Sequence, residues 1–289
     1  MQSLSKNTVN AEASVYSSIV IPCLINRSLV LTLALLVSGC WAPSIKPPAA
    51  EIGKLSTILV VPVESPPLEI IPDPLEERIP VYRHYRNMSV DFSLPQKLYR
   101  TAGGVTVAGL VSESEQGLTI QDDRGPSNLS IAAGPEQAWT PTQMLAQQAA
   151  TQLTGNNIKA VMSRDYSRLP MVDADRNAEL NHWRNAISTW YGQNVTDVDY
   201  KNHAGIDAVL ELGFGNYRIF AGQTSVQVLM KLIDPRTRQV LARTRAETFT
   251  AEDAGQVSLN EDSEPFKQLV AKMSLPLLKQ GLTEFGWRQ

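Results

Sequence analysis

Cysteine is almost missing: two thiols in 289 residues can build neither a disulfide scaffold nor a four-thiolate zinc site. An excess of one charge is missing too. With 26 basic against 29 acidic residues, the chain offers no basic face of the kind that marks a nucleic-acid binder. No apolar run reaches the roughly 20 residues that a membrane-spanning helix needs. The three histidines, His84, His182 and His203, show no metal-ligand spacing. Gly-x-Ser-x-Gly, P-loop and His-Glu-x-x-His patterns are absent, and no internal repeat is visible. What remains is 43% hydrophobic and 19% charged side chains, the balance of a folded globular body with enough chain for a real core.

The N-terminus reads as an address. Arg27 and Ser28 precede a short apolar stretch, Leu29 to Val37, which closes in Val37-Ser38-Gly39-Cys40. A positive residue, a short apolar core and small residues before a cut describe a secretory signal. Extending the stretch back through Ile19–Ile25 would enclose Asn26 and Arg27, and charge inside a bilayer is expensive. Val-Ser-Gly-Cys resembles the lipobox of bacterial lipoproteins. That resemblance implies removal of residues 1–39 and acylation of Cys40, with palmitate among the chains. Cleavage would also remove Cys23, so the one cysteine left is consumed by lipid and no disulfide or thiol chemistry is expected. The stretch ahead of Arg27 is long for a signal, and no further methionine occurs before Met88. The expected translation start therefore lies downstream, at a non-Met codon. Trp41 occupies the sorting position. Tryptophan there instead of aspartate implies the outer membrane of a Gram-negative envelope, on its periplasmic face.

Residues 40–54 follow as the acylated cysteine and a tether: Ala42–Ala50 is Pro-rich, without hydrophobic periodicity, and reads as an extended linker. The folded body is expected over 55–289 as a single α/β domain, a mixed sheet of about five strands with three helices packed on it. Ser56–Val63 is a continuous β-branched run, the pattern of a strand buried on both faces, and Pro62 marks its end. Thr140-Pro141 supplies an N-cap and a proline at the first helical position, with Leu145, Ala146, Ala149, Ala150 and Leu153 on one face and Gly155 as the stop. A strand over 158–162, a helix carrying Leu180, Trp183, Ile187, Trp190 and Tyr191, and a strand over 206–212 come next. Ser225–Ile233 and Gln239–Phe249 alternate as a hairpin joined by Asp234–Arg238. A last helix starts near Ser263 and carries Phe266, Leu269, Val270, Met273 and Leu277, with Pro276 expected to kink it.

Between these elements, 64–139 reads as a long insertion. Prolines at 66, 67, 72, 74, 80 and 95 forbid a long helix in its first half. The pieces 104–108 and 118–120 are strand-like, with turn chemistry from Gly117 and Asp122-Asp123.

The phrases ILVVPV at 58–63, Gly205-Ile206-Asp207-Ala208-Val209-Leu210-Glu211-Leu212, and Met230 to Ala242 with its Asp234-Pro235-Arg236-Thr237-Arg238 turn carry a resemblance. They are similar to the periplasmic lipoprotein domains related to the curli-secretion lipoprotein CsgG, the N-terminal domain of TolB and the ABC-transport auxiliary lipoproteins. Arg238 stands where that pattern prefers glycine. The likeness covers 55–63 and 140–285, leaving 64–139 unmatched, and implies a non-catalytic accessory or assembly role at the outer membrane.

Each chemistry-bearing pattern also has a plainer reading. Asp173-Ala174-Asp175-Arg176-Asn177 begins like a calcium loop, but Ala178 replaces its glycine and Arg184 its bidentate glutamate. Gly213-Phe214-Gly215 leads into another strand, without a third glycine or a helix N-terminus, and reads as a bulge or bend. Asp122-Asp123 and Glu76-Glu77 are neighbours whose side chains diverge in extended chain. His182 beside Trp183 reads as a packed or exposed histidine. Asn87, Asn128 and Asn194 head glycosylation sequons that a bacterial lipoprotein would not normally use. No metal or cofactor is expected beyond the covalent lipid.

Function is therefore placed in the insertion. Tyr82, Arg83, His84, Tyr85 and Arg86 interleave aromatics with cations, the residues that interfaces favour, whereas the plain alternative is a solvated loop packed on its own domain. The leading expectation is a lipid-anchored accessory protein binding another envelope protein through 64–139. A homo-oligomeric secretion component of the curli type is the alternative, and an enzyme acting on envelope polymers a third. The short stretch Val105–Val111 and the prolines before it disfavour a pore, whose strands take about 9–11 residues each.

Overall fold

Both halves of the sheet attach to one long strand, β7 (Ala208–Phe220). The computed structural model describes residues 42–71, 97–100, 106–109, 119–120, 139–156, 158–220, 223–250 and 264–287. The signal segment, Cys40, Trp41 and the run Tyr82 to Arg86 lie outside the described residues. Ala42–Gln289 forms one unit.

On one flank, β1 (Thr57–Pro62) runs parallel to 208–212 of β7, and β2 (Leu68–Ile71) runs parallel to 218–220. These two are in effect one strand, interrupted by the prolines at 66 and 67. Outside β1 lies β6 (Lys159–Met162), again parallel. Outside β2 come β4 (Thr106–Gly109), β3 (Lys97–Arg100) and β5 (Thr119–Ile120), all antiparallel. On the other flank, β8 (Gln223–Ile233) and β9 (Val240–Phe249) extend the sheet as the expected hairpin.

The unbroken apolar run of β1 follows from its central place. Ile58 and Val60 enter the main core, while Leu59 and Val61 enter a smaller one on the opposite face, so neither phase of the alternation can be polar. The main core is roofed by α2 (Pro141–Gly155) and α4 (Glu264–Glu284). Thr140 caps α2 as expected, its hydroxyl accepting from the Gln143 amide at 3.2 Å. Pro276 lies inside α4, which continues through it to Glu284. Gly281 lets that helix lie on Met230 of β8, since any Cβ there would strike the thioether. The opposite face is covered by α3 (Leu180–Gly192), with Trp183, Ile187, Trp190 and Tyr191 buried.

Gly213-Phe214-Gly215 does begin a bulge. Phe214 pairs with Val228 and Tyr217 with Val226, so three steps on β7 face two on β8. The extra residue restores phase, and Phe214, Tyr217 and Ile219 all reach the main core.

The expected α/β architecture, a mixed sheet with helices packed on it, is observed, with nine strands among the described residues and a short further helix, α1 (Ala49–Ile52), ahead of it. Two expectations are corrected. Residues 42–54 are not a free tether: Ile45 pairs with Arg243, and Ile52 is buried in the main core, because Ile45 and Ile52 bring apolar and main-chain groups that β9 and the core can use. Nor is 64–139 wholly an insertion. Leu68 and Ile70 are core residues of β2, and the pieces at 104–108 and 118–120 overlap β4 and β5.

Candidate functional site

Three charges lie in one row across adjacent strands. Glu211 on β7 faces Lys231 on β8, and Lys231 faces Arg243 on β9. All three are buried, Glu211 and Lys231 completely. Neighbours on these strands alternate between the two faces, so the row shares the α3 side with Val209 and Ile233. A buried ion pair survives only when its other bonding capacity is met, and here it is. The Tyr200 hydroxyl donates to Glu211 Oε1 at 2.6 Å, and the Trp190 indole N–H donates to Oε2 at 2.7 Å. Lys231 Nζ lies 3.2 Å from Oε2, donates to the Trp190 carbonyl at 3.0 Å, and sits 4.9 Å from the Trp190 ring centre. Burial pulls the Lys231 ammonium below its ordinary value, and Glu211 opposes that pull. Burial also drives the Tyr200 phenol far up, with the Glu211 carboxylate pushing the same way, so it stays a donor.

Arg243 completes the row. Its guanidinium donates to the carbonyls of Tyr191 at 3.3 Å and Gly192 at 2.9 Å, which the helix end leaves without intrahelical partners, and to Pro43 O at 2.8 Å. Two cations, Lys231 and Arg243, thus stand at the negative end of the helix dipole. Arg243 also exchanges main-chain bonds with Ile45, N to O at 2.9 and 3.0 Å. The Tyr191 phenol is raised by burial, against a hydrogen bond to Ser44. Ala42 lies beside Gly192, its Cβ 3.8 Å from where a Cβ at 192 would stand. The chain arriving from Cys40 is therefore clipped to α3 and β9 at a set place. With Glu211 and Lys231 sealed from solvent, the row can hold elements together but cannot meet a substrate.

A second ion cluster organises residues 163–179. Arg176 forks onto Glu64 at 2.8 and 3.1 Å and reaches the carbonyls of Leu169 and Met171. The Glu64 bond holds the guanidinium above its ordinary value. Asp173, first residue of the calcium-like pattern, is bonded by Arg168 and Arg176. The carboxylates and cations there neutralise one another. His182 lies near Asp175 and Glu179, at 3.7 and 3.6 Å. The His203 ring lies tilted beside that of Tyr200, their centres 6.4 Å apart. Among the described residues, no group of His, Cys, Asp and Glu could hold a metal, and no helix is long and apolar enough to cross a membrane.

No motif in the sequence marks Glu211, Lys231 or Arg243. The signal was present: a charge in each of three consecutive strands, at the phase opposite the core. A strand face opposite the core normally reads as solvent-exposed, and only the packing of α3 shows otherwise.

No family model matches the chain, and no curated protein matches it. Solved structures give loose similarities. A PelC dodecamer from Paraburkholderia phytofirmans is 12% identical, over 52% of this chain and 77% of that one, with a TM-score of 0.27. A DUF330 protein from Xanthomonas campestris is 9% identical, over 80% and 84%, at 0.31. Lipoprotein GNA1162 from Neisseria meningitidis is 20% identical, over 46% and 81%, at 0.23. Scores this low fix no role.

Proposed function

We propose that the chain is a lipid-anchored, non-catalytic accessory protein of a bacterial envelope assembly or transport system, held at the periplasmic face of the outer membrane by acyl chains on Cys40. The observation that carries this reading is the clip of Pro43 and Ile45 onto Arg243. Only Trp41 and Ala42 separate Cys40 from Pro43, a reach of about 10 Å at full extension. An anchor so close to a fixed attachment point would keep the body near the bilayer surface. The spending of Glu211, Lys231 and Arg243 on internal bonds supports the non-catalytic part of the reading. Partner contact falls to the chain between Ile71 and Lys97, where Tyr82, Arg83, His84, Tyr85 and Arg86 combine aromatic anchors with cations.

The test is extraction of the native protein in mild detergent, with particle mass and co-purifying proteins determined for wild type and for a variant lacking residues 81–86. A particle holding a second envelope protein, lost in the variant, is expected. A large homomeric particle would replace this reading with the export assembly. A bare monomer that cleaves an envelope polymer would replace it with the enzyme.

A further inference from the structure

The turn between β8 and β9 and the connection from α3 to β7 meet around an open cleft of about 380 Å³. Lys201, His203 and Arg236 line it, with Tyr200, Gly205 and Asp207 among the other walls. The local acids keep their charge but turn oxygens towards fixed neutral donors. Asp207 Oδ2 accepts from the Ser56 amide at 2.9 Å, the Ser56 hydroxyl at 2.7 Å and the Thr57 amide at 2.9 Å. Asp234 accepts from the Arg236 amide and the Thr237 hydroxyl, and Asp199 from the Lys201 amide. The cationic side chains are not so engaged: among the described residues, those of Lys201, His203 and Arg236 make no hydrogen bond or ion pair, while Arg236 feels Asp207 and Asp234 only through space. Lysine and arginine with solvent-facing donors across a concave surface are the elements of oxyanion recognition, the guanidinium fork matching two oxygens at once.

We propose that this cleft binds a phosphoryl oxyanion, with Lys201 and Arg236 as its ligands and His203 at its rim. The volume suits a phosphoryl group bearing a small polar substituent. A lipid headgroup and a free phosphate share this chemistry. The inference stands apart from lipidation, because the cleft and its cations do not depend on the anchor.

The experiment is calorimetric titration of the full chain in maltoside micelles with inorganic phosphate and, separately, with short-chain phosphatidylglycerol below its micelle concentration. Wild type is expected to bind at least one of them. K201A and R236A should each weaken binding about tenfold, the loss of one charge-assisted contact, and the double variant should abolish it. Both side chains are exposed, so unchanged melting temperatures will show that the fold survives. Binding of phosphatidylglycerol alone assigns the site to a headgroup, and equal binding of phosphate assigns it to the free anion. Absence of binding to either, or variants that bind like wild type, would overturn the proposal.

Discussion

Ile45 and Arg243 exchange both main-chain hydrogen bonds of an antiparallel pair, at 2.9 and 3.0 Å, across 198 residues of sequence separation, with the Arg243 guanidinium reaching the Pro43 carbonyl beside them. One arginine thereby joins the entering chain, the edge strand β9 and the C-terminus of α3. Arg243→Ala removes the donors to Pro43, Tyr191 and Gly192 together. A loss of about 2–4 kcal/mol is expected, from charge-assisted bonds and carbonyls left unpaired. Hydrogen exchange at the Ile45 amide should accelerate at least as much as global unfolding does.

The Glu211–Lys231 pair should behave as a unit. Lys231→Met strands a buried carboxylate and should cost about 3–5 kcal/mol, whereas pairing it with Glu211→Gln should recover most of that loss. Denaturant titrations of the two single variants and the double give the coupling energy directly. Additive losses would show that the pair is not coupled.

Gly213 lies against the Trp190 ring, where an added Cβ would come within 3.0 Å of two ring carbons. The ring cannot easily yield, because its N–H is bonded to Glu211. Gly213→Ala should therefore destabilise by about 1–3 kcal/mol through overpacking and shift the tryptophan emission.

Arg238 sits at φ 63°, in the left-handed region, at the end of the β8–β9 turn. Arg238→Gly should relieve that strain and stabilise by about 0.5–1 kcal/mol, the gain being reduced by the greater freedom of glycine in the unfolded chain. Thermal melts check it.

Asp207 supplies a pH signature. The Ser56 hydroxyl, then the Ser56 and Thr57 amides, hold its carboxyl below the ordinary value. A lowered folded value stabilises the protein above the ordinary carboxylate range and is lost as pH falls through the folded value. Asp207→Asn should therefore cost about 0.5–1 kcal/mol at pH 7, modest because the site is near solvent, and the gap to wild type should close toward pH 3.

Where local chemistry decides the structure, the sequence was legible. Thr140-Pro141 set the start of α2, the β8–β9 alternation set the hairpin, and the glycines after Leu212 set the bulge. Elements whose support is distant were hidden. Leu68–Ile71 is only four residues long and lies among prolines, and its pairing partner on β7 is about 150 residues away. Pro43–Ile45 looks like linker because its order comes from Arg243. The charge row looked like a solvent face because α3, the cover, is remote from two of its three strands. The candidate site inherits this limit, since the cleft joins the 199–207 connection to a turn near 235 only after folding.

The most direct test of the anchored account is intact mass spectrometry of the protein purified from detergent-extracted bacterial membranes, with palmitate labelling of wild type and Cys40→Ala. The account requires a mature chain that begins at Cys40, carries diacylglyceryl and an added acyl chain, and loses the label in the variant. A chain that begins elsewhere, or an unmodified Cys40 in wild type, would contradict it.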